Sequence, residues 1–167
     1  KSSILLVQMN SNCLNGALFK ELNNVLDDIE RWQGFGDVEE KIDGVIFTSV
    51  KKKIFLAGAD LFQLESILSE TVNLTLKDKM LETIIEGGQD TFTRIEKLKV
   101  PTVAAIHGAC VGGGYELALA CDYRISSDDK CTKIGLPEVT LRIFPAWGGC
   151  TRLPEIIGLP KALNVIL

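Results

Sequence analysis

Glu116 lies beside backbone that could hold a negative charge. It follows three consecutive glycines, Gly112, Gly113 and Gly114, in "HGACVGGGYELALACDY", at the start of a helix-like run. Glycine loses more conformational freedom on folding than any other residue, so a triplet implies that something must approach the backbone closely. The amides of a helix's first turn lack intrahelical partners and sit at the positive end of the dipole, which suits an anion or a developing negative charge. The stretch "IFLAGADLFQL" repeats this logic, placing Ala57, Gly58 and Ala59 before Asp60 where another helix begins. If the two turns converge, two backbone N–H groups could grip one oxygen from two sides, the geometry of an oxyanion hole for a carbonyl turning into an enolate. Glu138, in "IGLPEVTLRIFPAWGG", supplies a second carboxylate. Two carboxylates beside such a hole suit proton abstraction and delivery next to a carbonyl, with an apolar setting able to keep one of them protonated.

Competing chemistries fail on spacing. A phosphate loop needs Lys after its last Gly, but Gly114 is followed by Tyr115, and the dinucleotide pattern G-x-G-x-x-G is absent. No G-x-S-x-G elbow occurs, and the single histidine, His107, reads as a turn residue at a strand end. Cys110 reads as a small buried residue, since nothing around it would depress a thiol pKa. Five cysteines without a C-x-x-C pair argue against a disulfide framework and a zinc site, and point to a reducing compartment. A formal net charge of −4 disfavours nucleic acid as the main partner, and the basic run Lys51, Lys52, Lys53 is local.

The elements that must position these residues alternate along the chain. "ILLVQM" (Ile4 to Met9), "DGVIFTS" and "TVAAIHG" read as strands, and "DYRISS" as a further extended segment. Leu18, Leu22, Val25, Leu26, Ile29 and Trp32 recur at helical spacing; "ADLFQLESIL" reads as a short helix and residues 75 to 98 as a longer one that Gly87 and Gly88 loosen in the middle. This is an α/β chain with a largely parallel sheet, read as one domain over residues 1–167 without a linker. No run of 18 apolar residues and no charged-then-apolar leader is visible, so a cytoplasmic protein that contacts no membrane is expected.

The three stretches together resemble the enoyl-CoA hydratase/isomerase, or crotonase, superfamily. "FLAGADL" is similar to its first oxyanion-hole segment, "IHGACVGGGYELALACDYRIS" to its second with the first glutamate, and "IGLPEVTLRIFPAWGGCTRLPEIIGLPKAL" to the segment bearing the second. They follow in family order over roughly residues 45 to 165. The resemblance implies a crotonase-like spiral of ββα units, with the amides of Ala59 and Gly113 as the oxyanion hole and Glu116 and Glu138 as the acid/base pair. It implies addition of water to a trans-2-enoyl-CoA to give a 3-hydroxyacyl-CoA in fatty-acid β-oxidation, without metal or cofactor, coenzyme A being part of the substrate. Ala57, Gly58, Asp60, Leu61, Lys53, Ala146 and Trp147 are then the substrate-side residues, with Lys51 to Lys53 near the CoA phosphates or simply a solvated loop.

Plainer readings stand beside these. Asp60 can cap its helix; Phe62, Leu64 and Trp147 can be core rather than acyl pocket; Arg152 can be a structural ion-pair partner. The chain departs from the family where Arg142 and Ala146 stand at positions commonly Gly. A Δ3-Δ2-enoyl-CoA isomerase, or a non-catalytic acyl-CoA-binding scaffold, are the alternatives. The ending "GLPKALNVIL" resembles the hydratase portion of multifunctional fatty-acid oxidation subunits, so a chain truncated at its C-terminal end is expected, within a homotrimer or a larger multifunctional chain. Leu163, Val165, Ile166 and Leu167 are expected to leave apolar surface there.

Overall fold

The structure, a computed structural model, describes residues 3–33, 42–70 and 74–167. Strand β1 (Ile4–Met9) leads to helix α1 (Gly16–Gln33), then β2 (Gly44–Ser49), β3 (Ile54–Ala57), α2 (Leu61–Glu70) and α3 (Leu74–Glu96). There follow β4 (Thr102–Ile106), β5 (Ala109–Val111), α4 (Gly113–Ala120), β6 (Tyr123–Ser126) and β7 (Lys133–Gly135). A 3₁₀ turn (Glu138–Leu141), α5 (Gly149–Ile157) and α6 (Leu159–Ile166) complete the order.

Among the described residues all strand pairing is parallel, in two sheets ordered β1-β2-β4-β6 and β3-β5-β7. Parallel pairing requires crossovers, and helices that cross over must bury an apolar stripe against the sheets. In α1 that stripe is Leu18, Leu22, Leu26 and Ile29, all buried, and the Asn15 side chain caps the helix by accepting from the Leu18 N–H at 2.9 Å. Phe47, Phe55, Phe92 and Leu117 fill the main core, and Leu119, Leu136, Leu153, Ala162 and Ile166 form a smaller one beneath α5 and α6. Ile166 is therefore buried, not surface, because it closes this second core; Leu163, Val165 and Leu167 are exposed.

Helix α4 is apolar almost all round and buried, which is why its hydrophobic run shows no amphipathic period. Its last carbonyls are held by Arg124, whose Nη1 donates to the oxygens of Ala118 and Cys121 at 3.1 and 2.6 Å. Helix α3 runs unbroken through Gly87 and Gly88. The pair serves close packing rather than a loosened turn, since a Cβ at Gly88 would lie 2.2 Å from the Trp147 ring nitrogen.

Candidate active site

The small sheet decides where the chemistry gathers. Its register aligns Ala57 of β3 with Val111 of β5, and Val111 with Gly135 of β7. The segments that leave these strands emerge at one edge: Gly58-Ala59-Asp60, Gly112-Gly113 and Leu136-Pro137-Glu138. Carboxyl ends of neighbouring parallel strands are the common place for a ligand crevice in open α/β sheets. The first two turns abut, since a Cβ at Gly112 would stand 3.4 Å from the Gly58 Cα.

Each glycine of the triplet meets a different neighbour. Gly112 has φ 56°, in the left-handed region, and its missing Cβ would come within 2.8 Å of Glu138 Oε1. A Cβ at Gly113 would lie 2.5 Å from the Trp147 ring, and one at Gly114 2.2 Å from the Leu56 carbonyl oxygen. The close approach is thus protein on protein, and it lets α4 begin hard against β3. Among the described residues, the N–H groups of Ala59 and Gly113 donate to nothing else. Around Ala59, Leu14 takes the flanking groups instead: its N–H donates to Gly58 O at 2.8 Å and its carbonyl accepts from Asp60 N at 2.9 Å.

Glu116 is 1% exposed, and its Oε1 accepts from the backbone N–H groups of Trp147 and Gly149, each at 2.8 Å. Burial pushes its pKa up to about 7 against the pull of those two amides, and the neighbouring Glu138 carboxylate pushes the same way. Glu138 opens the 3₁₀ turn and is also buried; its Oε2 has no hydrogen-bond partner, and burial raises its pKa. Two neighbouring carboxyls with raised pKa values favour sharing one proton, which suits one to serve as acid and the other as base.

Arg142 ends the turn with φ 62° and ψ 29°, the left-handed conformation that suits Gly. Its N–H donates to Val139 O and that of Ile143 to Glu138 O, so the loop closes in spite of the side chain. Left-handed backbone costs a non-Gly residue about 1 kcal/mol. Arg142→Gly is accordingly expected to raise stability by up to about 1 kcal/mol, read from urea midpoints at constant m, as the relieved strain is partly offset by the freer unfolded chain.

The remaining predicted residues divide. Asp60 Oδ1 accepts from Phe62 N and Gln63 N, capping α2, and Asp60 also borders a cavity that Ala59, Leu64 and Trp147 line. Leu61 and Phe62 are exposed, Phe62 to 84%. Trp147 is both core and cavity wall. Lys53 lies at the opposite end of β3 from Ala59, roughly 20 Å along an extended chain, so it is not brought to the carboxylates. His107 Nε2 is 2.7 Å from Lys51 O, a turn contact. Arg152 pairs with Glu96 at 2.8 Å and donates to Trp147 O at 3.1 Å, clamping the loop that carries Glu116's donors. The Ala146 carbonyl accepts from Gln89 at 2.7 Å. Gly149 and Gln89 are the members that sequence reasoning missed. The paired glycines at 148 and 149 hinted at the first; nothing local points to the second.

A family model described as enoyl-CoA hydratase/isomerase matches residues 1–167. The chain is 45% identical over 156 residues to the fatty acid oxidation complex subunit alpha of Aliivibrio fischeri, covering 93% of this chain and 21% of that one. Against the subunit of the same name from Vibrio cholerae serotype O1 the identity is 41%, over 93% of this chain and 20% of that. The chain thus spans about a fifth of the length of these curated relatives. Among solved structures, an enoyl-CoA hydratase from Bacillus anthracis superposes with a TM-score of 0.83 at 34% identity, over 99% of this chain and 59% of that one. One from Geobacillus kaustophilus superposes at 0.81 and 32%, over 99% and 58%. With the ordered motifs, the parallel strands and the paired carboxylates in place, the match along its whole length shows that this chain belongs to the enoyl-CoA hydratase/isomerase family.

Proposed function

We propose that the chain hydrates trans-2-enoyl-CoA thioesters to 3-hydroxyacyl-CoA, as the hydratase portion of a larger fatty-acid oxidation protein. The observation that carries this reading is the meeting of two acceptor-free amides, at Ala59 and Gly113, with two buried carboxyls at the ends of β3, β5 and β7. The thioester oxygen would accept from both amides. Glu116, held by two N–H groups on Oε1, takes a proton from water as the hydroxyl adds to the β-carbon. The double-bond electrons move onto the thioester oxygen as an enolate, stabilised by donors already in place. Glu138, whose pKa burial raises, gives its proton to the α-carbon as the enolate collapses. Atoms balance with water as the sole co-reactant, so this reading includes no cofactor or metal.

Assembly as a homotrimer or within a multifunctional chain, and cytoplasmic placement, belong to the same proposal. No helix among the described residues is long and apolar enough to cross a membrane. The direct test incubates the protein with crotonyl-CoA, follows loss of the conjugated absorbance and identifies the product by mass as the substrate plus one water. Turnover of a 3-enoyl-CoA without hydration of crotonyl-CoA would establish the isomerase instead, and binding without turnover of either would establish a scaffold.

The pH profile carries a further expectation. Glu116 must be ionised to act as base, so kcat/KM should fall as pH drops through about 7. Glu138 must be protonated to act as acid, so activity should fall again on the alkaline side. In the residual activity of Glu138→Gln the alkaline limb should disappear while the acid limb, set mainly by the burial of Glu116, stays. An alkaline limb that persists would show that Glu138 is not the acid.

A further inference from the structure

A cavity of about 240 Å³ opens beside Ala59, between the start of α1, the start of α2 and the middle of α3. Its walls are largely apolar, built from Leu14, Phe19, Leu64, Ile84 and Trp147, with Gly87 and Gly88 completing the α3 side. Apolar walls suit the hydrocarbon part of a ligand.

Trp147 connects this cavity to the carboxylates. Its ring packs edge-on against Phe19 and Phe92, with centroids 5.2 and 6.0 Å apart. Its indole N–H donates to Ile84 O at 3.2 Å, and its ring covers both Gly88 and Gly113. The same residue's backbone N–H holds Glu116 Oε1 at 2.8 Å. One residue therefore lines the cavity, backs the glycine of the second amide turn and orients the buried carboxylate. Close-packed interiors transmit displacement rather than absorb it, so pressure on the ring is passed to the backbone that holds Glu116.

We propose that Trp147 is a positioning residue through which a linear acyl tail in this cavity sets the placement of Glu116, with Gly87 and Gly88 limiting the tail length admitted. The proposal rests on the hydratase reading above and adds a cause for chain-length preference. Gly87 is the cleanest handle: a Cβ there would meet no atom within 4 Å, yet the residue lines the cavity. A side chain can therefore start there without a backbone clash, and replacing glycine inside a helix favours the helix.

The experiment compares crotonyl-CoA with trans-2-octenoyl-CoA as substrates of the natural full-length protein and its variants. In the parent, kcat as well as kcat/KM should rise with tail length. Gly87→Leu should lower kcat/KM for octenoyl-CoA relative to crotonyl-CoA at least about tenfold, the effect of excluding about two methylenes. Trp147→Ala keeps the backbone N–H but should flatten the rise of kcat with tail length, and Trp147→Phe, which restores an aromatic wall, should recover most of it. An equal fractional loss of kcat for both substrates in Trp147→Ala would make the ring a structural support only, and overturn the coupling. An unchanged chain-length profile in Gly87→Leu would place the tail elsewhere and overturn the proposal even if the Trp147 variants fail to fold. Loss of crotonyl-CoA hydration in the parent itself would overturn the hydratase reading and this inference together.

Discussion

Glutamine in place of Glu138 or Glu116 is expected to lower hydration by about 10²–10⁴-fold each, with the fold intact, since each change deletes a proton-transfer partner. The two variants should differ in stability. Glu116 is buried and its pKa is raised to about 7, so the folded state disfavours its ionised form. A group whose folded pKa lies above its unfolded value lends stability that is fully present below the unfolded pKa and is lost as pH rises through the folded one. The parent should therefore lose on the order of 3 kcal/mol between pH 4.5 and a little above 7 from this group. Glu116→Gln should lack that loss, because the amide oxygen can still accept from Trp147 N and Gly149 N with no charge to bury. Urea denaturation at pH 5 and pH 8, beside crotonyl-CoA kinetics, measures both effects. A fully active Glu116→Gln protein would rule out the assignment of Glu116 as base. Equal pH dependence of stability in parent and variant would show that the carboxyl does not titrate as its burial demands.

Removing the free N–H of Ala59 is expected to cost at least about 10²-fold in turnover while KM changes little, because the bond to the substrate oxygen strengthens as the enolate forms. Ala59 is the better of the two hole positions to test. At Gly113 any side chain, proline's ring included, would collide with the Trp147 ring, so a loss there mixes packing with chemistry. Replacing Ala59 by its α-hydroxy analogue exchanges the N–H for an ester oxygen and leaves the methyl group in place. The flanking contacts of the turn, Leu14 N to Gly58 O and Asp60 N to Leu14 O, do not use that N–H and should persist. Turnover within a few fold of the parent, in a folded protein, would show that the oxyanion is held elsewhere.

Much of this molecule is written in local pattern. The apolar period of Leu18, Leu22, Leu26 and Ile29 specifies a helix with one buried face, and "ILLVQM" a strand over the same residues the structure pairs. The glycine triplet before Glu116, the "AGAD" turn and Pro137-Glu138 name the parts of the candidate site, because backbone that must accept positive φ or close contact restricts residue type at the position itself. Asp60 as a cap was legible for the same reason, its partners being two and three residues away.

What the chain alone left open are relations between segments far apart in sequence. That β3, β5 and β7 align so that three turns share one edge is a matter of register. Arg142 shows only that a common glycine is missing; that its backbone still takes the left-handed conformation depends on the loop closing onto Glu138 and Val139. Gly87 and Gly88 look like helix weakeners by propensity, yet α3 runs through them because Trp147 fills the space above Gly88. The raised pKa of Glu116 arises from desolvation by residues drawn from several elements, opposed by amides on a loop held by Arg152 and Gln89. Residue type and short spacing determine what each segment can do; burial and charge coupling depend on which distant segments pack together, and only the tertiary structure decides that.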